Sequence, residues 1–370
     1  METIEVILFV IMLLYVTCIA SLVIGFARLR SFQQKNMIPK TAFSIVVPFR
    51  NEKENLPNLL QSLLQLNYPK ELFEVILVND DSDDGFVVPK MNLDIKILES
   101  KRLSHSPKKD AIQIAITQAK NDWVITTDAD CIVPESWLTT LDAFIQKHPK
   151  AAMVCGAVSF SPSNKFLQHF QQLDVLSLQG ATMGGFGLGL PFMCNGAHLA
   201  YTKKIFGEVH GFVGNDGIMS GDDVFLLQKV AMQFPEEVFY LKSGTQIVIT
   251  QYETTWKSLF FQRVRWAAKS TAYKSVFGKL VALMVFVANV TVVFTWFLLF
   301  FQDMPLYVLL WIVIIKWIID GILLFQVARL IKITPKGLLI SNLLYPFFST
   351  VVAVFSLFGS YTWKGRNAKK

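Results

Sequence analysis

The chain has 370 residues, 52% of them hydrophobic and only 17% charged, against about 25% charged in ordinary soluble domains; its mean hydropathy is +0.42. A wholly soluble protein is therefore excluded, and the apolar content together with only 20 Gly and 14 Pro excludes a disordered or collagen-like chain. The net charge of +7 suits anionic lipid headgroups better than nucleic acid, because the basic residues flank apolar segments and form no stripe interleaved with aromatics.

Residues 6–27 carry no charge and are long enough to cross a hydrocarbon core of roughly 30 Å. The start is acidic (Glu2, Glu5) and the basic residues Arg28, Arg30, Lys35 and Lys40 come afterwards. A retained anchor is expected over a cleaved signal peptide, with the middle of the chain in the cytosol.

From residue 41 to about 269 short apolar runs alternate with amphipathic ones, the pattern of βαβ units in an α/β domain. Residues 43–47 predict a buried strand that stops at Pro48. Leu56, Leu59, Leu60, Leu63 and Leu64 predict a helix after Asn55. Residues 73–78 predict a strand ending in an acidic loop that contains Asp80. That loop starts like an EF-hand, with Asp80, Ser82, Asp84 and Gly85, but its twelfth position is Met91 and not Glu. An Asp at a strand end can instead accept a base N–H or a ribose hydroxyl, while Asp83 belongs to a solvated turn.

A short strand over 95–98, a helix over 109–118 and a strand over 123–127 follow, the last running into Asp128-Ala129-Asp130. A turn at Ala129 lets both carboxylates reach one hard cation, for which Mg²⁺ or Mn²⁺ is expected, with diphosphate oxygens completing the shell. The polar residues thus collect at the carboxyl ends of strands, where open α/β sheets bind ligands. Asp222 and Asp223, after Gly221, sit at a predicted helix start. One can cap and the other can act as a base, and spacing does not assign them.

Gln262, Arg265 and Trp266 are spaced i, i+3, i+4, so one helix face presents an amide, a guanidinium and an indole. Such a trio can hold a diphosphate and stack on a sugar; an interfacial helix at headgroup level is the blander reading of the same residues. Beyond it, residues 280–302 and 304–328 predict two spans joined near Asp303. Lys316 and Asp320 in the second are expected to pair with each other. Residues 337–362 are uncharged and contain Pro346. A re-entrant hairpin bent there is favoured over a full crossing, because it keeps the basic tail (Lys364, Arg366, Lys369, Lys370) cytosolic. Cys18, Cys131, Cys155 and Cys194 are too few and too scattered for a disulfide framework or a CxxC metal site, so reduced thiols are expected.

These residues together resemble the membrane-bound branch of the family 2 glycosyltransferases, which includes ceramide glucosyltransferase-like and cellulose or hyaluronan synthase-like enzymes. Val47-Pro48-Phe49-Arg50-Asn51-Glu52, Val78-Asn79-Asp80, Lys108-Lys109, Asp128-Ala129-Asp130, Cys194-Asn195-Gly196-Ala197, Gly221-Asp222-Asp223 and the QxxRW run from Gln262 to Trp266 carry the resemblance. It implies an α/β glycosyltransferase A fold, Rossmann-like, with transmembrane helices at both ends. The implied division is an anchor over 1–30, a cytosolic transferase domain over 41–253, an interfacial helix over 254–275, a membrane region over 276–363 and a basic tail over 364–370.

By the same similarity, Pro48, Arg50, Glu52 and Asp80 line a nucleoside pocket. Lys108 or Lys109 contacts the diphosphate or ribose. Asp128 contacts the nucleotide sugar, Asp130 with Asp128 ligates the metal, and Asp223 is the general base beside Asp222. Asn195, Gly196 and His198 lie on the acceptor side, where His198 replaces the commoner Asn. The implied reaction is inverting transfer from a UDP-sugar to a lipid or glycan hydroxyl at an inner or plasma membrane. A processive polysaccharide synthase and a non-catalytic scaffold or transport subunit are the competing readings.

Overall fold

The structure is a computed structural model and describes residues 2–33, 37–301, 304–358, 361–363 and 366–368. Lys35, Asp303 and the tail residues Lys364, Lys369 and Lys370 lie outside the described residues. The chain forms two compact units, a sheet unit (30–161 and 193–251) and a helical unit (1–29, 162–192 and 252–369).

In the sheet unit β1 (Phe43–Phe49), β2 (Phe73–Asn79), β3 (Ile95–Glu99), β4 (Trp123–Thr126), β5 (Met153–Phe160), β6 (Leu199–Thr202) and β7 (Val238–Leu241) run in the order β3-β2-β1-β4-β6-β5-β7. A last strand, β8 (Ile247–Thr250), pairs with the carboxyl half of β5. Phe43, Ile45, Val47 and Phe49 share one buried cluster with Leu56, Leu59, Leu60 and Leu63 of α2 (Leu56–Leu64) and with Trp137, Leu138 and Leu141 of α4 (Trp137–Lys147). Each fully buried leucine contributes about 1.5–3 kcal/mol. Val46, Ile76, Val78 and Val124 alternate with these residues and are also fully buried, and α3 (Pro107–Gln118) packs on β1 and β2. Two covered faces explain why these strands read as unbroken apolar runs.

β1 continues through Pro48, past the stop expected there. Its ladder with β4 ends at Val46 opposite Thr126, so the missing proline N–H falls where one neighbour has already finished. The other departure is β6, which runs antiparallel between β4 and β5 in an otherwise parallel sheet. That reversal places the amino end of β6 beside the carboxyl end of β4, and it carries Asn195 and Gly196 to the acidic rim. From Thr202, β6 passes into α6 (Lys203–Glu208), whose start the Thr202 hydroxyl caps by accepting from the Ile205 N–H at 3.1 Å.

The helical unit contains α1 (Glu2–Arg28), α5 (Phe166–Gly187), α8 (Trp256–Ala268), α9 (Val276–Phe300), α10 (Leu306–Leu330) and α11 (Leu338–Phe358). Among the described residues, four segments are long and apolar enough to cross a membrane: Thr3–Arg28, Val276–Phe300, Leu306–Leu330 and Leu338–Phe358. Helix α5, within the stretch expected to be wholly transferase domain, belongs to this unit and packs on α1 and α10. Its contact with α1 is glycine against glycine. A Cβ on Gly187 would lie 1.8 Å from the Gly25 carbonyl oxygen, so the two backbones touch, as at small-residue crossings of membrane helices.

Lys316 and Asp320 form the expected ion pair at 2.5 Å, and the Tyr15 hydroxyl of α1 donates to the same carboxylate. Helix α11 runs unbroken through Pro346, so the expected hairpin is corrected to a single helix. Apolar helices tolerate an internal proline where neighbouring groups satisfy the freed carbonyl. Beyond it, β9 (Tyr361–Trp363) and β10 (Arg366–Ala368) pair antiparallel.

Candidate active site

The strand ends of the sheet unit gather a rim of carboxylates and cations. The loops after β1 and β2 are laced together: Arg50 Nη1 donates to the Asp80 carbonyl at 2.9 Å and to Asp81 Oδ2 at 3.1 Å. The Asp83 N–H donates to Asn51 Oδ1 at 2.9 Å, and the Lys53 N–H to Asp84 Oδ2 at 2.8 Å. Buried Asp80 receives Arg102 Nη2 at 2.5 Å. Arg102 escaped the sequence reading; the available signal was a basic residue in the loop after β3, on the same end of the sheet as Asp80. Pro48 sits next to this loop, opposite Val78.

The centre of the rim is Lys108, which lies 2.6 Å from Asp128 Oδ1 and 3.3 Å from Asp222 Oδ2. Burial alone would lower its pKa, but Asp128, Asp222 and Asp223 outweigh that and hold it well above the ordinary lysine value. One ammonium thus joins the carboxyl end of β4, the start of α3 and the start of α7 (Asp222–Gln233). Gly221 precedes α7 with a φ of 82°, a left-handed turn that a side chain would strain. Asp223 Oδ2 accepts the Gly196 N–H at 3.0 Å and its Oδ1 the Val224 N–H at 2.8 Å. Asp222 faces the ammonium and is buried, whereas Asp223 is half-buried. The more accessible carboxylate of the pair is therefore Asp223.

Asp130 lies one turn from Asp128 and accepts from Thr250 Oγ1 at 3.2 Å. Burial, then Asp128, then Glu52 push its pKa up to about 6. Crowded hard-oxygen carboxylates of this kind suit a divalent cation, which would relieve their repulsion. Among the described residues no three His, Cys, Asp or Glu side chains gather as a candidate metal site.

Two expected contacts fall elsewhere. Lys109 is buried and donates to the carbonyls of Asn215 at 2.6 Å and Ile218 at 2.9 Å, so it ties down the loop before Gly221 while Lys108 faces the carboxylates. His198 points into the core: its Nε2 accepts from Trp137 Nε1 at 2.9 Å and its Nδ1 faces the Ala157 carbonyl at 3.0 Å. Both ring nitrogens are taken up by protein atoms, which removes His198 from the acceptor side. Asn195 Oδ1 accepts from Ala197 N at 2.9 Å and shapes the turn that presents Gly196. Gln262, Arg265 and Trp266 lie on α8 of the helical unit, where Gln262 Nε2 donates to Glu253 Oε1 at 2.8 Å. All four cysteines are free thiols.

Burial lowers the His198 pKa from near 6.5 to about 4. The unfolded chain takes up the proton first as pH falls, so the stability this neutral ring provides is complete above pH 6.5 and is lost on descending toward pH 4. The loss amounts to about 3 kcal/mol. Thermal melting in detergent between pH 7 and 4.5 is expected to show this fall, and His198→Asn is expected to flatten it; an unchanged slope in that variant would assign the acid sensitivity to other groups. At Gly196 an added Cβ would lie 3.2 Å from Asp222 Oδ2, 3.4 Å from Asp223 Cβ and 3.5 Å from Lys108 Nζ. Gly196→Ala is expected to displace this cluster by a few tenths of an ångström and reduce turnover on the order of tenfold, with an unaltered melting temperature.

The mixed sheet with its polar rim at the strand ends has the glycosyltransferase A type of α/β fold. Residues 44–213 match the family described as Glycosyl transferase family 2. It is 26% identical over 229 residues to a poly-beta-1,6-N-acetyl-D-glucosamine synthase of Staphylococcus epidermidis, covering 60% of this chain and 53% of that one. It is 23% identical over 257 residues to the probable glycosyltransferase YdaM of Bacillus subtilis, covering 66% and 60%. The chain thus spans little more than half the length of these two relatives. The fold of the mannosyltransferase PcManGT of Pyrobaculum calidifontis, solved with GDP-Man and Mn²⁺, covers 96% of this chain and 99% of that one at 16% identity, with a TM-score of 0.56.

Proposed function

We propose that the protein is an inverting glycosyltransferase that moves a sugar from a nucleotide diphosphate sugar, a UDP-sugar by family resemblance, to a lipid hydroxyl at a membrane. The observation that carries this reading is Lys108, which draws Asp128 and Asp222 around one ammonium and so joins the donor-side acidic pair to the element bearing Asp223. Asp128 and Asp130 would hold Mg²⁺ or Mn²⁺, which when bound neutralises charge on the departing diphosphate.

The chain's own residues do the rest. Lys108 sits where a diphosphate would displace it from the carboxylates and offers that leaving group a cation. Asp223 accepts the proton of the acceptor hydroxyl as its oxygen bonds to the anomeric carbon and the bond from that carbon to the diphosphate oxygen breaks. Attack from the opposite face inverts the centre through an oxocarbenium-like state. Asp80, beside Arg102 and the Arg50 loop, would contact the nucleoside.

Four apolar helices and the basic residues that follow the first of them, Arg28, Arg30 and Lys40, support a multi-pass protein with its sheet unit in the cytosol. Four crossings put the segment after α11 on the far side, so local charge is overruled there by the length of the helix. The similarity to a poly-N-acetylglucosamine synthase favours a second reading, polymer synthesis. Membranes containing the protein, incubated with labelled nucleotide sugars and Mg²⁺ or Mn²⁺, are expected to yield label in the lipid extract. Label in precipitable polymer would replace the lipid reading, and no transfer from any donor would remove the activity.

A further inference from the structure

The motif helix α8 is gripped by a polar network that the reaction scheme does not use. Asp174 of α5 and Arg263 of α8 form an ion pair with Nε 2.5 Å from Oδ2, both side chains no more than 7% exposed. The other oxygen, Asp174 Oδ1, accepts from the Tyr345 hydroxyl of α11 at 3.0 Å. Arg263 Nη1 donates to Gln262 Oε1. Its guanidinium carbon lies 4.2 Å from the centre of the Trp266 ring, at cation–π distance. Arg263 Nη2 is buried with no hydrogen-bond partner, so Asp174 and Gln262 are what orient the guanidinium. Three residues earlier on α5, Gln171 holds the backbone of Glu253 in both directions, each at 2.9 Å. Glu253 in turn receives Gln262.

Two residues of the QxxRW run, Gln262 and Trp266, therefore take their poses from Arg263, which takes its own from Asp174 and Tyr345. We infer that Asp174 and Tyr345 are positioning residues: through Arg263 they fix the Trp266 ring and the Gln262 amide, and they tie that setting to an apolar helix. A buried pair that only anchored α8 would need neither the guanidinium over the Trp266 ring nor the hydroxyl of Tyr345. The flat guanidinium is the shape both contacts require, since an ammonium cannot bond Asp174 along one edge and cover a ring with its face.

The kinetic half of this inference rests on the proposed transferase activity, so the experiment has a second readout. The full-length protein in detergent micelles is exposed to hydroxyl radicals, and labelling of the Trp266 peptide is compared with that of the peptide bearing Trp256. Trp256, on the same helix, packs on Phe170 at 5.1 Å between ring centres. In Tyr345→Phe and Asp174→Asn, Trp266 labelling is expected to rise while Trp256 labelling stays level. Equal change at both would show a helix merely undocked and would overturn the inference, as would no change at either.

In the transfer assay Tyr345→Phe is expected to lower kcat by about three- to tenfold with the donor KM unchanged. Arg263→Lys is expected to lose as much although it keeps its charge, and to show no further loss when combined with Tyr345→Phe. Full activity of Arg263→Lys would also overturn the inference. If the wild-type chain transfers nothing, the activity proposal fails and the labelling still decides this one.

Discussion

Asp223→Asn is expected to reduce sugar transfer by about 10²–10⁴-fold, the usual contribution of a positioned general base, while leaving nucleotide binding intact. The substitution is nearly isosteric. Its amide oxygen can still accept the Gly196 N–H that Asp223 Oδ2 accepts at 3.0 Å, while the bond from the Val224 N–H to Oδ1, 2.8 Å in the wild type, is lost. What disappears is the carboxylate proposed to take the acceptor's proton. Asp222 cannot substitute, because Lys108 stands 3.3 Å from it and stabilises its charged form. The check is a paired measurement of turnover and of UDP affinity by calorimetry. Turnover within a few-fold of wild type would remove Asp223 from the role, and lost affinity would reassign it to the donor.

Asp130→Asn is expected to be as severe for a different reason. Neutralising a leaving diphosphate with a metal is worth several kcal/mol of barrier, so its loss lowers turnover by about 10²–10⁴-fold. The asparagine keeps a hydrogen bond from Thr250, 3.2 Å away in the wild type, and it also relieves the repulsion with Asp128 and Glu52 that pushes the Asp130 pKa up to about 6. The variant is therefore expected to melt at least as high as wild type while UDP no longer binds more tightly when Mn²⁺ is added. A variant that still gains UDP affinity from Mn²⁺ would move the cation to other residues.

The two outcomes are separable. One variant keeps metal-linked nucleotide binding and loses turnover, whereas the other loses both. A shared collapse of melting temperature would instead point to Lys108, whose two carboxylate partners link three elements of the sheet unit.

Much of the architecture was legible in the residue pattern. The leucine spacing of α2, the helix expected over 109–118, the apolar strands and the charge-free spans all depend on neighbours in sequence, and the structure has each within a few residues of its expected place. The acidic strand ends were legible for the same reason, since a turn chemistry follows its own residues. The Asp174–Arg263 pair was not: Arg263 occupies one of the unspecified positions of QxxRW, and only the packing of α5 on α8 reveals its partner.

Residue order determined the local elements and the hydropathy of the spans, because periodicity and turn preference act over a few residues. It also placed carboxylates at strand ends. Tertiary structure decided the pairings: the antiparallel insertion of β6, the membership of α5 in the helical unit, and which of two adjacent lysines faces the carboxylates. Lys108 and Lys109 are the same residue type one position apart, so no local rule separates them. The helical turn points one ammonium at Asp128 and Asp222 and the other at two carbonyls, and only distant chain segments supply those partners.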